Sequence, residues 1–129
     1  MRGKAESRPA VFTSGAWKAP AIAGSVDSFS VIGTDVASGR IAIAYMRWSS
    51  VGMDIELVES PGPSAKWSAP RRLSAQSMPL AWMPNTSSGR MLGDYISVHY
   101  AGGRPLVVWV LANQPVETSF RQAVYATRG

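Results

Sequence analysis

A chain of 129 residues suits one domain of ordinary size, and 46% hydrophobic against 16% charged residues excludes a disordered polymer. It has no cysteine, which excludes disulfides and thiolate metal sites and leaves the compartment unreadable from redox chemistry. The net charge of +5 comes from 13 basic and 8 acidic residues, and the arginines are scattered rather than clustered, so no nucleic-acid partner is expected.

No run approaches the roughly 18 apolar residues that would span a membrane. Met1-Arg2-Gly3-Lys4-Ala5-Glu6-Ser7 is charged with no apolar stretch behind it, so no secretory leader is expected. The 12 glycines and 9 prolines fall between short apolar runs, as in all-β chains with many turns.

Taken in order, residues 1–10 read as a loop. Ala10 to Thr13 reads as a short strand, Ser14 to Ala16 as a turn, and Trp17 to Ala23 as a Pro-containing strand. Proline removes a ladder donor, so that strand belongs at a sheet edge. Phe29 to Gly33 is the next strand, and a turn at Ala37-Ser38-Gly39 leads into Arg40 to Arg47. In this strand Ile41, Ile43 and Tyr45 share one face, while small alanines on the other allow a neighbouring sheet to approach closely. Trp48 to Met53 is a loop, Asp54 to Ser60 a third strand, and Trp67 to Ser74 a fourth.

Four strands joined by short turns form an antiparallel meander, the build of a propeller blade. The cycle restarts at Tyr95 to Tyr100, continues through Gly103 to Val110, and ends with Phe120 to Ala126. Asp27 and Ser30-Val31 align with Asp94 and Ser97-Val98, and Gly39-Arg40 with Gly103-Arg104. Trp17-Lys18-Ala19-Pro20 echoes Trp67-Ser68-Ala69-Pro70 at a distance of 50 residues. The expected fold is all-β, a β-propeller fragment of about two and a half four-stranded blades. It divides into the end of one blade at 10–24, a complete blade at 27–74 and an incomplete blade at 94–127. Open blades expose apolar faces and strand edges, so self-association is expected.

The turn Ser60-Pro61-Gly62-Pro63-Ser64-Ala65-Lys66-Trp67 resembles the Asp-box, S-x-D-x-G-x-T-W, of sialidase-like propellers. It keeps Ser60 and Trp67 but has Gly62, Ser64 and Lys66 where the motif has aspartate, glycine and threonine. Met91 to Val98, followed by Val107 to Val110, resembles an inner-strand entry of bacterial sialidase-like repeat proteins. The resemblance implies that the Asp-box turn is structural and lies away from any site, stapled by the Trp67 ring. It also implies a glycan partner and, for a catalytic member, an arginine cluster, a Tyr/Glu nucleophile pair and an acid/base carboxylate. The family's F/Y-R-I-P motif is absent; Phe120-Arg121-Gln122-Ala123 lacks its isoleucine and proline.

Turns in a meander alternate between sheet ends, so Trp48–Met53, Ala75–Asp94 and Ala112–Ser119 share the end opposite the Ser60–Lys66 turn. The long Ala75–Asp94 segment is the outlier, and long loops are often functional. Within it, Trp82 is suited to stacking on a sugar, Asn85 to hydrogen-bonding hydroxyls and Arg90 to pairing with a carboxylate. Trp48 is a further substrate-binding candidate. Asp94, at the start of an inner strand, is the candidate acid/base or ligand anchor, and Tyr95 the adjacent candidate hydroxyl. The alternative roles are a loop packed on the next blade, an Asp94 that fixes the strand entry, and a buried inner-strand Tyr95. His99, the single histidine, reads as a packed core residue with no partner for a metal. No cofactor is expected. Two functions stand side by side: a glycan-binding or glycoside-hydrolase propeller segment inactive alone, and a non-catalytic repeat acting as a lectin-like or protein-binding scaffold.

Overall fold

The computed structural model describes residues 11–13, 16–18, 29–62, 65–93 and 95–129. Strand β1 (Val11–Thr13) pairs antiparallel with β2 (Ala16–Lys18), Phe12 opposite Trp17. The remainder of the expected Pro-containing strand Trp17–Ala23, residues 19–23, lies outside the described residues.

The first meander runs β3 (Ser30–Asp35), β4 (Arg40–Trp48), β5 (Met53–Ser60) and β6 (Arg71–Arg72), hydrogen-bonded in that order. Its first turn is held locally. The Asp35 carboxylate accepts the Ala37 N–H at 3.3 Å and the Ser38 hydroxyl at 2.6 Å, and Gly39 takes the left-handed φ of 75° that closes it. The fourth strand is far shorter than the expected Trp67–Ser74. Pro70 brings no N–H, and only Arg71 and Arg72 enter the ladder with β5. The Ser68 N–H to Glu59 O at 2.8 Å and the Leu73 N–H to Ile55 O at 2.8 Å keep the flanking backbone tied to it.

A connecting segment holds a 3₁₀ turn (Leu80–Trp82) and a small hairpin of β7 (Asn85–Thr86) and β8 (Gly89–Arg90). The second meander follows as β9 (Ile96–Ala101), β10 (Arg104–Val116) and β11 (Ser119–Arg128), with β10 in the middle. β10 and β11 run longer than the expected Gly103–Val110 and Phe120–Ala126, and their register shifts between Asn113 and Val116.

The alternation along β4 sets how the meanders stack. Ala42, Ala44 and Met46, with Met53, Ile55 and Leu57 of β5, bury one face against Val107, Trp109 and Leu111 of β10 and Ile96 and Val98 of β9. Ile41, Ile43, Tyr45, Val58 and Trp67 form a second buried cluster on the other face. With Arg40 matched to Arg104, Ile43 and Tyr45 correspond to Val107 and Trp109. The second meander therefore turns toward the first the face that the first turns away from it: the two stack front to back.

The strand register corrects one alignment. Ser30 lies opposite Tyr45 and Ile96 opposite Trp109, so Ser30 matches Ile96, not Ser97. A shift of one residue reverses which face each side chain occupies. The tighter second turn, Ala101 to Arg104, is two residues shorter than the first, which an ungapped reading does not show. Arg40 Nη1 donates to Gly103 O at 3.2 Å, bringing these turns together at one end of the stack. The 49–52 loop and the Glu117-Thr118 turn lie at the opposite strand ends.

Candidate functional site

The connecting segment is pinned at its start by a carboxylate. Asp54 accepts the Ser74 hydroxyl at 3.1 Å and the Ser77 hydroxyl at 3.0 Å, with Arg72 at 3.9 Å, and Ser74 Oγ also accepts the Ile55 N–H. Met78 then bridges to Met53 through two backbone hydrogen bonds of 2.9 and 3.0 Å. Its side chain is fully buried, and its sulfur accepts the Ala112 N–H at 3.3 Å. Met83 and Leu92 are buried in the same core, and the 3₁₀ turn carrying Trp82 packs on β10. Thioether side chains suit such an irregular junction because they bend to fill it.

The six expected site residues separate into groups. Trp82 is half-buried against the core. Asn85 is exposed and faces Arg90 across the hairpin. Arg90 is exposed too, and its Nη1 donates to Met83 O at 3.0 Å and Ala81 O at 3.3 Å, so part of its donor set holds the segment in shape. Trp48 lines a small cleft of about 60 Å³ with Phe29, Met46, Met53 and Met91, at the far end of the same segment. Tyr95 stands apart: it is 84% exposed and lines a different groove of about 220 Å³ with Ser97, Val108, Val110 and Val124. The expected buried Tyr95 is thereby corrected. It precedes β9 on the face that the first meander does not cover. Asp94 lies outside the described residues. His99 is exposed rather than packed in the core, because its register position also falls on that uncovered face.

A polar cluster absent from the sequence reading sits on β4 and β5. Tyr45 donates its hydroxyl to Glu56 Oε2 at 2.8 Å, and Arg47 Nη1 donates to Glu56 Oε1 at 2.8 Å. Tyr45 and Glu56 are direct cross-strand partners, and both are buried. Burial pushes the Tyr45 hydroxyl well above its ordinary range. The hydrogen bond to Glu56 and the Glu56 charge add to the shift, and Arg47 opposes it. In this arrangement the phenol is the donor and Glu56 the acceptor. The legible signal was Tyr45 and Arg47 two apart on one face of a strand, but the opposing glutamate required the register.

The Ser60 turn is closed by its own hydroxyl. Ser60 Oγ donates to Gly62 O at 2.6 Å, and the Ala65 N–H donates to Gly62 O at 3.1 Å. Trp67 is buried with Ile41, Ile43, Tyr45 and Val58, so its ring staples the turn to the sheet. Beside it lies a groove of about 400 Å³ lined by Arg40, Glu59, Lys66 and Trp67. Glu59 there is already paired with Arg40 at 3.4 Å and Arg71 at 4.0 Å. Among the described residues, no group of three or more His, Cys, Asp or Glu side chains is placed to hold a metal ion. Nor, among the described residues, is any helix long and apolar enough to cross a membrane.

No family model, no curated protein and no solved structure matches the chain.

Proposed function

We propose that the chain is a tandem-repeat segment of a sialidase-like β-propeller that acts as a non-catalytic, lectin-like binding module. The observation that carries this reading is how its carboxylates are used. Asp54 serves Ser74 and Ser77, Glu56 serves Tyr45 and Arg47, and Glu59 lies between Arg40 and Arg71. Each holds strands or a connection together, so none of these three is left without a structural partner to serve as an acid/base. The front-to-back stacking of two meanders is the arrangement that repeat propellers use, and it supports the repeat reading.

The ligand surface in this reading is the connecting segment, with Trp82 as stacking platform and Asn85 as hydrogen-bonding group. Tyr95 stands on a different face from that segment, which weighs against a single catalytic set built from both. The test is a glycan array probed with the purified chain, run beside hydrolysis of a fluorogenic sialoside. Binding that Trp82→Ala weakens, without turnover, is the expected result. Turnover above the uncatalysed rate overturns the non-catalytic reading, and a silent array overturns the glycan reading.

A further inference from the structure

We infer that the groove beside the Ser60 turn is a binding site for an oxyanion, whose oxygen accepts from the Trp67 indole and whose charge meets Lys66. The groove shares no residue with the connecting segment, and the inference does not depend on the glycan reading. Its hydroxyls and its carboxylate are already engaged within the chain. Ser60 Oγ donates to Gly62 O at 2.6 Å and accepts the Gly62 N–H at 3.4 Å. Ser68 Oγ accepts the Glu59 N–H at 3.0 Å and donates to Ala69 O at 3.1 Å. The Glu59 carboxylate lies between Arg40 at 3.4 Å and Arg71 at 4.0 Å.

What is left unspent in the groove is a pair of donors. Trp67 is only 7% exposed, and its Nε1–H is buried with no hydrogen-bond partner. Such a donor is destabilising until an acceptor reaches it. Lys66 is exposed and, among the described residues, forms no hydrogen bond or ion pair. Arg40, Arg71 and Lys66 stand against the single carboxylate of Glu59, so the charge around the groove is positive. A neutral hydroxyl would satisfy the indole and leave Lys66 unmet. An oxyanion serves both, through charge-assisted hydrogen bonds that are stronger than neutral ones. Trp109 Nε1 is unpartnered as well, but the groove that Trp109 lines carries no charged residue. Lys66 stands where the Asp-box has threonine, so its charge belongs to this chain and is not implied by the motif. At about 400 Å³ the groove lies within the range of small-molecule sites. That leaves room for a free oxyanion or for one carried on a body of sugar size.

The test is a proton–nitrogen correlation spectrum of the full chain with its indole N–H resonances assigned. It is titrated at constant ionic strength with sodium sulfate, with sodium glucuronate and with glucose as the neutral counterpart. The expected result is a saturable downfield shift of the Trp67 indole proton with sulfate or glucuronate, at a Kd of about 1 mM or below, and none with glucose. The two anions separate a free ion from one carried on a sugar. Lys66→Gln should weaken binding about fivefold or more, and added potassium chloride should weaken it in the wild type. A Trp67 resonance that neither anion moves overturns the inference, as does an equal shift with glucose. So does an affinity that Lys66→Gln leaves unchanged; where that variant does not fold, an affinity indifferent to salt decides against it. A shift confined to the Trp82 indole belongs to the connecting segment and overturns this site alone. A Trp67 shift beside a silent glycan array supports this site and overturns only the glycan reading.

Discussion

Gly33 of β3 lies against the backbone of Val98 of β9, so close that a Cβ on Gly33 would sit 2.7 Å from the Val98 carbonyl oxygen. Here the first strands of the two meanders approach too closely for a side chain at this position. Gly33→Ala must push β9 away or bend β3, since the obstructing atom is backbone. The expected cost is about 1–3 kcal/mol, typical of overpacking in a close-packed interior. Urea unfolding should show a lower midpoint, whereas Gly39→Ala, with nothing within 4 Å of its added Cβ, acts only through its positive φ.

Tyr45 and Glu56 give a pH signature at the alkaline end. Burial first, then the contact with Glu56, raises the Tyr45 pKa in the folded state. The unfolded chain then releases the proton first, near its ordinary value of about 10. The stability from this group is complete below that pH and is lost as pH rises toward the folded pKa. Tyr100 acts in the same direction, mainly through burial, with the charges of Glu59 and Asp35 adding and Arg40 opposing. Tyr45→Phe should cost about 1–3 kcal/mol at neutral pH, because the buried Glu56 oxygen loses its donor. It should also flatten, without abolishing, the fall in stability from about pH 10 upward. Denaturant melts at intervals across that range check both effects.

Met78 ties the connecting segment to both meanders at once, through its backbone to Met53 and its sulfur to Ala112. Met78→Ala empties a fully buried site and removes the sulfur acceptor. The expected loss is about 2–5 kcal/mol. Met78→Leu keeps the volume and should cost less than about 1.5 kcal/mol plus the lost contact to Ala112. Thermal melts of the two variants separate the cavity from the hydrogen bond.

The strands were legible where a two-residue period met turn residues. Ile41-Ala42-Ile43-Ala44-Tyr45 announced both faces of β4, including the close approach on the alanine side. What the sequence could not show came from pairings distant in the chain. The register of β9 depended on a turn two residues tighter than its counterpart, and a one-residue error reassigned Ser97, His99 and their neighbours to the wrong face. Tyr95 reads as buried because it belongs to an inner strand and His99 as packed because it lies mid-strand, yet both stand exposed on one face of that strand. Arg90 read as a group suited to pairing with a carboxylate, yet it spends hydrogen bonds on Met83 O and Ala81 O, acceptors that sequence spacing does not announce. Glu56 likewise needed β5 in register before its partnership with Tyr45 could be seen.

The stacking of the two meanders underlies the site and the proposed binding role. The measurement that tests it most directly is a nuclear Overhauser spectrum of the folded chain, with Val98 methyls assigned. Gly33 Hα and the Val98 methyl protons should give a strong cross-peak, because a Cβ at Gly33 would lie 3.1 Å from Val98 Cγ1. A well-folded spectrum with both residues assigned and no cross-peak between them would contradict the front-to-back stack.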